Sequence, residues 1–135
     1  MEEIKITKKN SRCISNLLRE KFKKKFKITQ EKPFPFDGTS YKPDLVFQDK
    51  TDDSIKAIIE IEGSSRKHMV GGVITADYVM GKEKQRPSMF VIALDELDKK
   101  DYQKRIPMLK HYTTNLKSID IDNLKHIISR LKEIH

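Results

Sequence analysis

Between residues 11 and 27, apolar side chains recur every three to four positions: Ile14, Leu17, Leu18, Phe22 and Phe26. That period predicts an amphipathic helix, with Asn10 or Ser11 capping its start. Residues 28–40 are punctuated by Pro33, Pro35 and Gly38, which predicts a short strand and then an irregular loop. In "PDLVFQD" (43–49), Leu45 and Phe47 alternate with Asp44 and Val46, the pattern of a strand. "KTDDS" (50–54) is turn chemistry, and "KAIIEIE" (56–62) is a second strand, so 43–62 predicts an antiparallel hairpin.

"GSS" (63–65) then offers a helix cap, and Met69, Val70, Val73, Ala76 and Met80 place a helix over 66–82. Gly71 and Gly72 are poor helix formers, which suggests close packing against the sheet or a bend. "SMFVIAL" (88–94) is the continuous apolar run of a strand covered on both faces. Strand, helix and strand in that order predict a right-handed parallel crossover. Tyr102, Ile106, Leu109 and Tyr112 keep helical phase over 98–113, with a break or restart at Pro107. "KSIDI" (117–121) reads as a short edge strand. Leu124, Ile127, Ile128, Leu131 and Ile134 make 122–134 an amphipathic helix, with Asp122 as its candidate cap. With no repeat and no linker, residues 1–135 form a single α/β domain, a mixed sheet flanked by helices.

Composition narrows the partners. The 135 residues carry 28 Lys and Arg against 20 Asp and Glu, a net charge of +8. A small basic domain favours polyanions, either nucleic acid or an anionic membrane surface. No apolar run approaches the ~20 residues of a membrane span. "MEEIKITKKN" lacks the apolar core of a signal peptide. The lone Cys13 rules out an internal disulfide and argues against a cysteine-based zinc site. These features predict a cytoplasmic protein.

The 56–62 strand holds a conflict. Its alternation sends Ala57, Ile59 and Ile61 to one face and Ile58, Glu60 and Glu62 to the other. The two glutamates then lie about 7 Å apart along the strand. Because the 50–54 turn is midway, the hairpin brings Asp44 beside them. Carboxylates gathered near a core need a cation, a proton or solvent. Hard divalent cations such as Mg²⁺ take oxygen ligands, often one or two carboxylates plus water and a substrate phosphate. The competing reading is a solvated acidic face paired with lysines.

Pro43-Asp44 and Glu60-Ile61-Glu62, set on adjacent strands before a helix, resemble the PD-(D/E)XK nuclease superfamily. The resemblance covers residues 11–95. It implies a restriction-endonuclease-like core of αβββαβ order, here with extra C-terminal helices. It further implies a metal-dependent DNA endonuclease using Mg²⁺, which Mn²⁺ can replace, with Asp44, Glu60 and the Ile61 carbonyl as ligands. Cutting both strands would suit a homodimer. The family usually has a lysine where this chain has Glu62. Some restriction endonucleases of the superfamily carry a second glutamate there, so Glu62 would be a ligand or general base. Alternatively Lys67 reaches in, or cleavage has been lost and a nucleic-acid-binding module remains. The family often adds an acid on its first helix. Glu20 is the candidate, with an ion pair to Lys24 as the alternative.

Around these acids, Ser65, Arg66 and Lys67 begin the next helix, where free amides and positive charge suit phosphate. A plain cap with solvated charges is the alternative. Lys42 lies next to Asp44. Lys82, Lys84 and Arg86 are candidates for a DNA-facing rim. Phe34, Phe36 and Tyr41 serve either base stacking or the core. His68 reads as a helix-surface residue.

Overall fold

A five-stranded mixed sheet organises the chain in the computed structural model, which describes residues 8–63 and 65–135. Helix α1 (Lys8–Phe22) leads into β1 (Phe26–Gln30), followed by a separate two-stranded ribbon, β2 (Phe34–Phe36) and β3 (Thr39–Tyr41). The chain continues through β4 (Leu45–Asp49), β5 (Ile55–Glu62), α2 (Arg66–Glu83) and β6 (Ser88–Ala93). It ends with α3 (Glu96–Gln103), α4 (Ile106–Tyr112), β7 (Ser118–Asp122) and α5 (Leu124–Leu131). The sheet order is β1-β4-β5-β6-β7. β1, β4 and β5 pair antiparallel, whereas β5, β6 and β7 run parallel.

Strand alternation builds two cores. Leu45, Phe47, Ala57, Ile59, Ile61, Phe90 and Ile92 meet Ile14, Leu18 and Phe22 of α1 and Ile127 and Leu131 of α5. Val46, Ile58, Met89, Val91, Ile119 and Ile121 meet α2, Tyr102 of α3 and Leu109 of α4. Because both faces are covered, β4 is buried from Leu45 to Gln48, not on alternate residues alone.

Several boundaries differ from the sequence expectation. The first helix stops at Phe22, not residue 27, and Phe26 starts β1. Phe26 still reaches the same core, with its ring 5.3 Å from Phe47. Asn10 and Ser11 lie inside α1 and do not cap it. The expected irregular loop contains the β2–β3 ribbon, closed by Asp37 (φ 44°) and Gly38 (φ 81°). Two successive left-handed residues make the tight hairpin turn that Asp-Gly favours. Pro107 does restart a helix, at the beginning of α4. The cap of α5 is Asn123, whose side chain accepts from the His126 amide; Asp122 ends β7 instead. No described helix is long and apolar enough to cross a membrane.

Candidate functional site

The β4–β5 register places Leu45 opposite Ile59, so one step further Asp44 meets Glu60. The two are tied reciprocally. The Asp44 amide donates to Glu60 Oε1 at 2.8 Å, and the Ile61 amide donates to Asp44 Oδ2 at 2.7 Å. A strand residue presents its N–H and C=O on the same edge, so the Ile61 carbonyl faces the Asp44 side too. Glu62 follows on the same face of β5, half-buried at the strand end.

Three neighbours complete the setting. The β2–β3 ribbon is fastened to α2: Tyr78 and Lys82 both donate to Asp37, at 2.7 and 3.1 Å. The ribbon thereby holds Tyr41 against Glu60, where the buried hydroxyl completes no hydrogen bond of normal geometry. On the helix side, Glu60 Oε2 lies over Gly72, where a Cβ would touch it at 3.4 Å. The carboxylate thus lies within van der Waals reach of α2 at Gly72. At the far side, the Glu31 amide donates to the Asp44 carbonyl at 3.2 Å, from a left-handed backbone (φ 49°).

Electrostatics follow from this burial. Burial, then the charge of Asp44, pushes Glu60 up to about 8. Asp44 is raised by burial and by Glu31, against the lowering effect of the Ile61 amide. Glu62 is raised by burial and by Asp44, opposed by His68. Tyr41 is raised by burial and by the charges of Glu60 and Asp44. No lysine or arginine offsets Asp44 or Glu60 among the described residues.

The remaining sequence candidates are dispersed. Ser65 caps α2, its side chain accepting from the His68 amide at 3.2 Å. Arg66 is turned to Asp101, 3.4 Å away. Lys67 is exposed and is not among the groups that shift Glu62; His68 is the neighbour that lowers it. Lys42 is exposed beside Pro43. Glu20 pairs with Lys23 at 2.8 Å, not with Lys24, and is exposed. Lys84 and Arg86 follow the C-terminal end of α2, about 27 Å by helical rise from the end that adjoins Glu62.

The sequence does not single out Glu31; it offers Tyr41 for base stacking or the core and His68 as a helix-surface residue, not as neighbours of the acids. Asp37-Gly38 was the available signal for Tyr41, because a hairpin there returns the chain onto the sheet.

Asp44 and Glu60 offer hard oxygen donors, and the orphan Tyr41 hydroxyl leaves a further polar group beside them. Carboxylate and hydroxyl oxygens are the donor type that hard divalent cations take. Glu62 does not close a three-ligand set. No three His, Cys, Asp or Glu side chains converge as a metal-holding group among the described residues. The sequence matches no family model, and no curated protein matches it.

Proposed function

We propose that the protein is a metal-dependent nuclease of PD-(D/E)XK type that hydrolyses DNA phosphodiesters. The observation that carries this reading is the Asp44–Glu60 pair, two part-buried carboxylates locked to each other's strands with no basic partner among the described residues. The succession α1, β1, β4, β5, α2, β6, interrupted by the ribbon, supports it through the αβββαβ order. Asp44 and Glu60 would hold the cation with the Ile61 carbonyl, and Mg²⁺ would supply Lewis acidity toward phosphate and water. Glu62, half-buried and raised in pKa, is suited to take a proton from water.

The test incubates the protein with supercoiled plasmid, branched DNA and RNA, with Mg²⁺, Mn²⁺ or EDTA. Cutting of DNA should require metal and fall by at least about a hundredfold in Asp44→Asn and Glu60→Gln, which should still melt cooperatively. Equal cutting in EDTA, or by either variant, sinks the reading. A second reading is a nucleic-acid-binding module without catalysis. It is favoured by Glu62 in place of the motif lysine and by the absence of Lys67 from the acids' charge balance. Salt-sensitive binding with no cutting in any metal selects it.

A further inference from the structure

Asp44 also lines an open cleft of about 500 Å³ with Arg12, Asn16, Gln30 and Glu31. A neighbouring cleft of about 480 Å³ is lined by Asn16, Arg19, Lys23, Lys27 and Lys50. Asn16 belongs to both, and Arg19 donates to Gln30 at 2.9 Å, so the clefts abut along the α1–β1 edge. Residues 12, 16 and 19 lie on one face of α1, and Lys23 continues it just past the helix end, its amide donating to the Arg19 carbonyl at 2.9 Å. The stripe is therefore Arg12, Asn16, Arg19, Lys23, continued by Lys27 of β1 and Lys50 of the β4–β5 turn.

We propose that this groove carries the phosphate backbone of a DNA strand away from Asp44. The proposal rests on the nuclease reading for what happens at Asp44, but its binding claim stands separately. From Arg12 to Phe22, α1 extends about 15 Å by helical rise. That matches four to five nucleotides of one B-form strand, at about 3.4 Å each. The acids present are Asp44 itself, Glu20, Glu31 and Asp53. Glu20 pairs with Lys23 at 2.8 Å and Asp53 with Lys27 at 3.8 Å, both exposed. Exposed pairs are weak and salt-screened, so a phosphate can replace the carboxylate. Asn16 and Gln30 add neutral polar groups, which suits contact with a backbone rather than a small anion.

The experiment measures binding of a short random-sequence DNA duplex in EDTA as salt rises. It compares wild type with the triple variant Arg19→Gln, Lys23→Gln, Lys27→Gln. A control removes the same charge from exposed positions elsewhere: Lys100→Gln, Lys104→Gln, Lys125→Gln. Each lost phosphate contact lowers the slope of log affinity against log salt by about 0.9. The groove variant should therefore lose about two to three units of slope, and the control less than about one. Replacing Lys23 and Lys27 by arginine should keep the wild-type slope.

Equal losses in both triples would show only net charge at work and overturn the groove. So would an unchanged slope in the groove variant, or no binding by wild type. In those cases the plasmid assay still decides the nuclease reading on its own. Loss in the groove variant alone, with no cutting in any metal, keeps the groove and removes the nuclease.

Discussion

Glu60 is the residue on which burial and charge collide. Its pKa is about 8 in the fold, against 4.5 when unperturbed, through burial and Asp44. Below about pH 4.5 the glutamate is protonated whether folded or not, and its contribution to stability is fully present. As pH rises to about 8, the unfolded chain ionises first and that contribution is lost. The shift corresponds to an order of 3–5 kcal/mol at ~1.36 kcal/mol per unit. Asp44 titrates beside it, so the pair shares this loss. Glu60→Gln should therefore gain stability over wild type as pH rises between about 5 and 8. Denaturant midpoints of the two proteins, subtracted at each pH, measure it. A flat difference would mean that Glu60 ionises freely. On the nuclease proposal Mg²⁺ would displace the same proton, so its stabilisation of wild type should strengthen with pH and be absent in Glu60→Gln.

At the scale of elements, the site depends on α2 being held in register with the sheet. Asp77, buried on α2, accepts from the amides of Asn115 and Leu116 at 2.6 and 3.0 Å, just before β7. Asn115 returns a bond to the Asp77 carbonyl at 3.1 Å. Asp77→Ala strips the acceptor from both amides and should cost about 2–4 kcal/mol, while Asp77→Asn keeps one acceptor and costs less. Urea midpoints test this, and equal midpoints for the two variants would remove the clamp. Nothing in "ITADYVM" disclosed that role, because its partners are thirty-eight and thirty-nine residues away. By contrast, the acids' common face was legible, since strand alternation and a midway turn fix which side chains meet. Phe26 shows where periodicity misleads. It continues the stripe of α1 by spacing, yet the chain has already turned into β1 to reach the same core. Glu31 owes its place to a left-handed backbone that no pattern of apolar residues signals.

For the molecule as a whole, the net charge of +8 on 15.8 kDa sets how copies meet. Like charge opposes association of free chains, and a polyanion neutralises it. On the nuclease proposal, the one Asp44–Glu60 pair of each chain would hydrolyse one phosphodiester in one strand. The homodimer suited to double-strand cutting is therefore expected to assemble on DNA. Free protein should have the mass of one chain by light scattering, and supercoiled plasmid should first become nicked circles at a rate proportional to protein. Linear plasmid should follow with a steeper, near-square dependence on protein concentration, because two chains must act on opposing strands. Linear product forming from the outset, at a rate merely proportional to protein, would show that one chain cuts both strands or that a stable dimer binds preassembled. The mass of the free protein separates those two cases.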